Sequence, residues 1–554
     1  MNKCCLLLIL LLLSTMLRAQ SVVQEATFHL QSAEYSLSLE KSIQAYEKDF
    51  TPQKFSIMRI MALSYEKMGM MKEALHWYEQ LIHPKNTNLD DRYHYAVCLK
   101  NNGQYLKAIE YFTNYRLQQG VLPTVALVAS CKKAITESFD STLWIVRNME
   151  EVNTDASEFG WMRSDSGFLI TSDRRVDTAD KVNYKWTGLP YQKIFYVQSS
   201  RKVSSVIVDT LPAFINRSYT HAGALTLSPS GDTLIFSSSD SVNQQPQKVN
   251  KKKDQIIDVR NGLLISVRMN GKWQKPIPFL YNDKTKYQVM HPAIDNTGQF
   301  LVFASDQPGG YGGMDLYYSV KERDSFWSPP CNLGAIVNSS ADEVFPVFDE
   351  TGKLRFSSNR TTGRGMLDIY ELSTQLKKDT ATGVLIHLPY PFNSSADDFY
   401  LIDGEQGKKY FSSNRPGGKG LDDIYEVKQK KKPVVKLYFN YGDSTGRERS
   451  MLQSFVVMKD LRTRREWLQI LSQDGSFILP IADSMEQQIV YYSADGKKYL
   501  IDDTIHYHPS YPRYGMIKKY PAPQVPESEE KESVIPRVIL NNAGASTGKR
   551  KKMP

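Results

Sequence analysis

Apolar and polar positions alternate in three stretches of this chain that are near copies of one another. Each stretch begins with the Phe that ends an apolar run, continues through a glycine-rich turn and ends in Tyr; they are Phe303–Tyr317, Phe356–Tyr370 and Phe411–Tyr425. A period of two predicts β-strands, and the glycines suit a tight turn because they tolerate positive φ. Each copy therefore predicts one hairpin of a repeated unit that buries its faces against its neighbours.

Two weaker copies lie upstream of these three. The five equivalent positions are then separated by steps of 66, 67, 53 and 55 residues; they are Ile170, Phe236, Phe303, Phe356 and Phe411. Four-stranded units at such spacing are typical of β-propeller blades. The sequence predicts a five-bladed propeller over residues 139–430. A sixth blade, closed by residues Phe139–Val152, is an alternative that the sequence leaves open.

Between residues 25 and 138 the apolar period becomes that of a helix. Equivalent positions recur 34 residues apart, as in Ala62 and Ala96, Gly69 and Gly103, Ala74 and Ala108, and Tyr78 and Phe112. This is the period of tetratricopeptide repeats, in which small residues let paired helices approach and a glycine permits the turn. We predict a helical solenoid over residues 25–138. Because repeat arrays contact mainly their neighbours, we expect it to be separable from the propeller.

The concave face of such a solenoid is a common peptide-binding surface. Our first candidates for partner contact are Tyr65, Arg92, Tyr95 and Leu99. Tyr65 and Leu99 occupy the same position in successive repeats, so a place in the core is at least as well supported for those two. Arg92 and Tyr95 are less constrained by the repeat, and Arg and Tyr are enriched among interface hot spots.

The start of the chain indicates where the protein works. Residues 6–13 are an unbroken run of Leu and Ile, preceded by Lys3 and followed by Ala19. This pattern is typical of a signal peptide, here residues 1–19, cleaved near Ala19. We expect an exported mature chain without a transmembrane segment, since no later stretch reaches about 18 apolar residues. The net charge of +9 is spread thinly over 554 residues and predicts no nucleic-acid partner.

Short strands separated by Asp-Gly turns follow the propeller. Residues 434–506 show this pattern and predict a small β-sandwich. Residues 507–554 are rich in Pro, Glu and Lys without periodicity, and we expect a disordered basic tail. The predicted fold class is thus multidomain, combining a helical solenoid with two all-β domains.

Histidines offer little metal or catalytic chemistry. Of nine in the chain, His221, His291 and His387 fall within the predicted propeller, and they do not occupy equivalent blade positions. A central metal site needs several imidazoles converging on the axis. We predict no metal, cofactor or catalytic residue, and therefore no enzymatic activity.

Acidic residues that recur in every good blade copy have a structural explanation. Asp315, Asp368 and Asp423 occupy the same blade position, whereas a catalytic acid is needed only once. We expect each to cap its own turn through backbone N–H groups. Polar pairs in the same motif are expected to bridge blade loops; they are Asn359 with Arg360 and Asn414 with Arg415.

These motifs carry a resemblance to known families. The Ser-Ser-Asn-Arg core of the blades resembles the TolB-like, WD-repeat-related propellers of exported bacterial proteins. The strands after residue 434, with Asp474, Gly475, Phe477 and Tyr491, are similar to the carboxypeptidase regulatory-like domain. The domain order over residues 25–504 resembles periplasmic accessory proteins of the type IX secretion and gliding machinery. Those proteins typically continue into an OmpA-like domain, for which we expect no room before Pro554.

The resemblance implies a non-enzymatic periplasmic scaffold or adaptor in an outer-membrane-associated secretion complex. Its partners would be protein components of that complex, and peripheral association with the outer membrane is left open. An alternative is a propeller that binds or cleaves carbohydrate or peptidoglycan fragments. A funnel with several histidines or carboxylates would favour the alternative, whereas a dry, filled axis would favour the scaffold.

Overall fold

A computed structural model describes most of the chain before residue 430 and part of the remainder. The described ranges are 22–48, 53–82, 88–119, 123–137, 144–164, 167–175, 183–199, 206–239, 260–322, 326–376 and 382–429, followed by the backbone of seven strands between 434 and 520. The chain divides into two compact units, one ending at Gln429 and one starting at Lys430. No helix among these residues is long and apolar enough to cross a bilayer.

Seven helices precede the first strand and confirm the predicted helical solenoid. They are α1 (22–31), α2 (Tyr35–Glu47), α3 (Lys54–Lys67), α4 (Met71–Leu81), α5 (Leu89–Asn101), α6 (Tyr105–Gln119) and α7 (Pro123–Glu137). Small and aromatic residues of the 34-residue repeat are fully buried together, as Ala96 and Phe112 illustrate. Their burial is what lets successive helices pack closely.

One turn geometry joins the two helices of each pair. Gly69 and Gly103 have φ of 77° and 73°, and the residue after each donates its N–H to the carbonyl five positions earlier. This is the Schellman arrangement, in which glycine satisfies the last carbonyls of a helix. Ala33 takes the same role between α1 and α2 with a φ of 55°. A first helical pair therefore precedes the two that the 34-residue spacing revealed.

Five blades follow, which confirms the predicted propeller; four of them have four strands, and the second has five, two of which are only two residues long. Blade 1 contains β2 (Glu158–Ser164), β3 (Gly167–Ser172), β4 (Lys193–Ser199) and β5 (Val206–Thr210), and blade 2 contains β6 (Ala222–Leu227), β7 (Thr233–Ser238), β8 (Gly262–Met269), β9 (Lys272–Trp273) and β10 (Ile277–Pro278). Blade 3 contains β11 (Val289–Ile294), β12 (Phe300–Ser305), β13 (Asp315–Val320) and β14 (Cys331–Asn332), and blade 4 contains β15 (Glu343–Phe348), β16 (Lys353–Ser358), β17 (Asp368–Gln375) and β18 (Leu385–His387). Blade 5 includes β19 (Asp398–Asp403), β20 (Lys409–Ser413) and β21 (Asp423–Gln429).

An N-terminal strand completes the fifth blade. β1 (Trp144–Asn148) pairs antiparallel with β21, so that Asn148 lies opposite Tyr425. The innermost strand of each blade contacts that of the next, and β19 contacts β2. Residues 144–148 therefore close the ring as the outer strand of blade 5. They do not form the sixth blade that the sequence left open.

An asparagine fastens each connection between blades to the blade it leaves. Its side chain accepts the N–H and donates to the carbonyl of one residue in the third strand; Asn393 does so with Ile369 at 2.6 and 2.9 Å. Five connections repeat this contact, through Asn153, Asn216, Asn282, Asn338 and Asn393. The side chain fills both bonding positions of a buried peptide group, which would otherwise be costly to bury.

The helical array rests on blade 4. Lys100, in the last turn of α5, is buried and donates from Nζ to the carbonyl oxygen of Gly365 at 2.7 Å. The guanidinium of Arg364, also buried, donates to the carbonyl oxygen of Ala134 in α7 at 2.5 Å. Buried cations at this contact make it a packed interface rather than a loose junction.

A second contact joins the first helical pair to blade 1. Lys185 lies 2.6 Å from the carboxylate of Glu34, and Trp186 packs edge-on against Tyr35 with 5.0 Å between ring centroids. The array thus contacts the propeller at both of its ends. This differs from the expected separable array, because the turns between paired helices supply polar groups that bond to blade loops.

The second unit contains two sheets. One has the strand order β25-β22-β28 and the other β24-β23-β26-β27; the strands are β22 (Val434–Phe439), β23 (Phe455–Asp460), β24 (Glu466–Ile470), β25 (Ser476–Pro480), β26 (Glu486–Tyr492), β27 (Lys498–His506) and β28 (Ile517–Tyr520). β28 lies within 507–554, for which the sequence predicted no regular structure. It pairs in parallel with β22, a long-range contact that composition does not reveal.

Candidate partner-binding surface

Two of the four predicted contact residues lie in the helical core. Tyr95 is 1% exposed and Leu99 fully buried, both packed with Ala62 and Ala96. Residues four apart on a helix share a face, and this face of α5 points at its neighbours. Tyr65 and Arg92 are partly exposed, with Tyr65 packed against the same core. Tyr65 and Arg92 therefore stay candidates for partner contact, whereas Tyr95 and Leu99 have no surface to offer.

A different stripe of α3 and α5 is accessible. Its members are all partly exposed; they are Arg59, Leu63 and Glu66 on α3, spaced four and three residues apart, and Tyr93, its neighbour His94 and Val97 on α5. We call these six residues the helical stripe. The sequence did not predict the helical stripe, because the repeat pattern identifies buried positions and the stripe consists of positions that do not belong to that pattern.

A bidentate ion pair fixes one end of the stripe. Arg59 donates from Nε and a terminal nitrogen to the two carboxylate oxygens of Asp91, at 2.7 and 2.6 Å. Asp91 is 2% exposed, whereas the Arg59 side chain is 31% exposed. The Asp91 carboxylate raises the pKa of Arg59. A guanidinium held in this way is pre-ordered, so it loses less conformational freedom when a partner binds.

Glu66 organises the other end. Its carboxylate accepts from the Tyr78 hydroxyl at 2.8 Å and lies 3.0 Å from Nδ1 of His94. The hydrogen bond to Glu66 raises the pKa of His94 above its usual value, while burial acts in the opposite direction. The His94 and Tyr78 rings stack at 5.7 Å. The stripe therefore combines ordered charged groups with the apolar side chains of Leu63 and Val97, a mixture typical of protein interfaces.

The ring axis is filled by aromatic side chains. Phe345 stacks on His291 with 3.9 Å between ring centroids, and Phe399 lies 4.5 Å from Phe345. The Tyr400 hydroxyl crosses the axis to bond with both backbone groups of Leu225. Burial lowers the pKa of His291 to about 3, so its ring is neutral at ordinary pH. The axis at this level is an apolar plug.

A backbone irregularity in each innermost strand builds this plug. The third residue of every such strand has a left-handed or near left-handed φ and coincides with a shift in strand register. The five residues are Gly160, Ala224, His291, Phe345 and Tyr400. Hydroxyls of the preceding blade hold three of them, since Thr171, Ser237 and Ser412 each accept the backbone N–H. The first Ser of the Phe-Ser-Ser motif therefore joins neighbouring blades.

The repeated aspartates contact their own turns. Asp315 accepts the N–H groups of Tyr311 and Gly312 at 2.6 and 3.2 Å, and Asp423 accepts those of Lys419 and Gly420. Amides of the outer strands also reach them, because Asn332 donates to Asp315 and Asn148 to Asp423. Carboxylates held this way are structural anchors for the turn.

Blade 4 varies this arrangement. Asp368 accepts the Gly365 N–H at 3.1 Å, and His387 replaces the outer-strand asparagine with Nε2 3.6 Å from the carboxylate. His221 immediately precedes β6, His291 lies at the ring axis and His387 lies at the rim of blade 4, so these three imidazoles do not converge. Among the described residues, no group of three or more His, Cys, Asp or Glu side chains could hold a metal ion.

The Asn-Arg pairs tie each blade to the connection that enters it. Asn359 donates to Asp342 and Asn414 to Asp397, both at 2.9 Å. Arg360 bonds to the buried Glu343 and to the carbonyl of Val337, which lies in the connection from blade 3. Arg415 bonds equivalently to Asp398 and the carbonyl of Pro391. These contacts occupy the side chains and leave them little freedom for ligand chemistry.

Comparisons with known proteins find one family model within the helical array and distant similarity to solved structures. The family model described as anaphase-promoting complex, cyclosome, subunit 3 matches residues 67–137, within the helical array. No curated protein matches the chain. Among solved structures, a puromycin hydrolase aligns at 12% identity and a TM-score of 0.27, covering 66% of this chain and 48% of the other. The chain thus spans about half the length of that protein.

Two further solved structures are glycoside hydrolases. An α-L-arabinofuranosidase from Podospora anserina aligns at 8% identity and a TM-score of 0.28, covering 52% of this chain and 98% of the other. A Bombyx mori GH32 β-fructofuranosidase aligns at 10% identity and a TM-score of 0.29, covering 69% and 94%. Similarity at this level carries no argument about activity.

Proposed function

We propose that this chain is a non-enzymatic scaffold that binds protein partners through its helical stripe and presents its propeller as a second contact surface. The observation that carries the proposal is the aromatic plug at the ring axis. A propeller that acts on a ligand at its axis needs polar groups facing an open channel, and the described axis holds packed rings instead. The alternative of a carbohydrate- or peptidoglycan-active propeller draws no support from this geometry.

The helical array supports the same proposal. Helical repeats of this type offer extended surfaces for peptide segments, and here the stripe is held rigid by the Arg59–Asp91 and Glu66–His94 contacts. Docking on the propeller fixes the array further. A partner therefore meets a preformed surface and orders little of it on binding.

We further propose that the partners belong to an outer-membrane-associated secretion complex of the type IX kind and that the protein works in the periplasm. The motifs of the blades, the domain order and the signal-peptide pattern at residues 1–19 support this assignment. Within it, residues 434–506 would be a carboxypeptidase regulatory-like domain. Contacts through protein partners alone, with peripheral placement at the outer membrane, fit a chain with this domain order.

The test is co-purification from crosslinked envelopes with matched changes of charge. Val97→Asp introduces a charge at a partly exposed position of the helical stripe, and Arg92→Glu reverses a charge at a partly exposed position of α5 beside it. Lys72→Glu reverses a charge at an exposed position on α4, the other helix type of the repeat. We expect the two α5 variants to recover several-fold less of the same partner proteins, and Lys72→Glu to recover wild-type amounts. Equal recovery from all three folded variants would move partner binding away from the solenoid. Recovery of no envelope component would contradict the secretion assignment.

A further inference from the structure

Blade 1 carries a cation at a position where blades 3, 4 and 5 carry a carboxylate and blade 2 carries Gly262. The first residue of the third strand pairs with the second Ser of the Phe-Ser-Ser motif, and in blades 3, 4 and 5 it is Asp315, Asp368 and Asp423. In blade 1 that residue is Lys193, which pairs with Ser172 in the same register. A cation thus stands where three other blades place a carboxylate.

The surroundings of Lys193 have changed with it. Its Nζ donates to the carbonyl oxygens of Arg217 and Thr220, which hold the ammonium in place without carrying a charge of their own. The outer strand differs at the equivalent position as well. Blades 3 and 5 have Asn332 and Asn148 there, whereas blade 1 has Thr210. The carboxylate–amide pair of the other blades has become an ammonium and a hydroxyl.

A cavity of about 190 Å³ opens at this position. Its lining combines three cations, Arg174, Arg175 and Lys193, with hydroxyl, amide and apolar groups. No residue of this described lining is acidic. One water occupies on the order of 10–15 Å³ by such a measure, so the space suits a small molecule rather than a single water.

Neighbouring contacts pre-order the cations. Arg174 is held by the buried Glu158 at 3.0 Å and lies over the Phe195 ring, while Arg175 donates to Asn183 at 2.6 Å. A fixed guanidinium and a fixed ammonium recognise oxyanions well, because their donors need not be reordered on binding. Pro190 and Leu211 supply an apolar wall for the rest of a ligand.

We propose that this cavity is a binding site for a small organic anion, a carboxylate or phosphate group on a body of a few carbon atoms. Oxygens of the anion accept from Lys193 and Arg175, with Ser218 and Thr210 as hydroxyl partners, and the carbon body lies against Pro190 and Leu211. This site goes beyond the proposed scaffold function and does not depend on it, since it lies on blade 1 and not on the helical stripe.

Three molecules with one carbon skeleton test the proposal: glycerol 3-phosphate, glycerate and glycerol. Isothermal titration of the full chain at low ionic strength should show binding of at least one of the two anions and none of neutral glycerol. Loss of a charge-assisted hydrogen bond in Lys193→Met should weaken that binding about tenfold or more. Preference between glycerate and glycerol 3-phosphate identifies the anionic group. Raising the salt concentration should weaken binding further.

Variants keep the test decisive. Lys193 bonds to two backbone carbonyls, so Lys193→Met could disturb the fold; Arg175→Gln alters an exposed side chain and should also weaken anion binding severalfold. Lys286→Met, at an exposed lysine of another blade connection, should bind like the wild type. The proposal is overturned if neither anion binds at tens of millimolar, if glycerol binds equally well, or if folded Arg175→Gln and Lys193→Met both retain wild-type affinity.

Discussion

Nζ of Lys100 lies 2.7 Å from the carbonyl oxygen of Gly365, so one buried lysine of α5 ties the helical array to the Gly-rich turn of blade 4. Burial lowers the pKa of this amine, and the nearby carboxylate of Asp368 acts in the opposite direction. The aspartate that anchors the turn thus also favours the charged form of the lysine that contacts this turn. Turn and helix are stabilised together.

This contact predicts a stability cost for truncating the lysine. Lys100→Ala should lower the free energy of unfolding by about 1–3 kcal/mol, because the buried Gly365 carbonyl loses its donor. Urea unfolding of the full chain measures the effect. Lys107→Ala, at a half-exposed lysine of α6, should stay within about 0.5 kcal/mol of the wild type. Coincident unfolding midpoints for Lys100→Ala and the wild type would show that the contact adds nothing.

The asparagines between blades predict a second set of losses. Asn393 is fully buried and bonds to both backbone groups of Ile369, so Asn393→Ala should cost about 2–3 kcal/mol. Asn216→Ala removes the same contact from Ile194, and the two losses should add, since the sites share no partner. Thermal melts of the single and double variants measure this. Asn296→Ala, at an exposed turn where the side chain makes one hydrogen bond to the Asp349 carbonyl oxygen, serves as the comparison and should cost less; an equal effect there would undermine the special role of the five connection asparagines.

The blade aspartates should contribute to stability independently. Asp368→Ala and Asp423→Ala should each lower stability by about 1–2 kcal/mol, as the loss of a side-chain cap does. Asp423→Ala should in addition loosen the ring-closing strand, because Asn148 loses its acceptor. Hydrogen exchange at Trp144–Asn148 would then rise in Asp423→Ala and stay unchanged in Asp368→Ala. A variant that keeps its melting temperature yet loses partner binding would instead mark a functional site.

Two carboxylates at the junction of blades 5 and 1 predict a dependence on pH. Burial raises the pKa of Asp422 to about 7 and that of Asp173 to about 6, and Ser157 lies between them. The folded state holds these protons more tightly than the unfolded state. Their contribution to stability is therefore complete below about pH 4 and is lost as the pH rises through 6 to 7.

Melting curves between pH 4 and 8 test this sign. Asp422→Asn should raise the melting temperature at pH 8 relative to the wild type and change it little at pH 4, because the amide carries no charge in either condition. Asp155→Asn alters an exposed residue of the loop that contains Ser157 and should follow the wild-type curve. Parallel curves for Asp422→Asn and the wild type would argue that Asp422 stays ionised in the folded protein.

The sequence predicted what repeats locally. Ile170 and Phe236 are weak copies of the blade motif, yet both are fully buried in second strands like the strong copies, because alternation alone places them. Positions that depend on the geometry of the ring could not be predicted. Gly160 and Tyr400 both adopt a left-handed φ in the innermost strand of their blades, yet their side chains have no chemistry in common. Tyr95 was misplaced for a related reason, since a residue outside the repeat pattern can still face the core.

The anion cavity and the helical docking share that difficulty. Lys193 becomes informative only when strand register aligns it with Asp315, and the twenty residues between β3 and β4 obscure that register in the sequence. Lys100 lies 265 residues from its acceptor, so no local pattern could pair them. Long-range contacts of single residues carry no periodic signal.

The ring-closing strand sets an order of events during folding. Asn148 and its acceptor Asp423 are 275 residues apart, so β1 is made long before its partner β21 exists. Closing so large a loop is slow, and an unpaired strand is exposed to wrong pairings in the meantime. The turn of blade 4 on which Lys100 docks also arrives late in the chain. A molecule interrupted before its fifth blade thus lacks a closed ring, and nascent-chain truncations ending near residue 400 should be degraded by proteases that the finished protein resists.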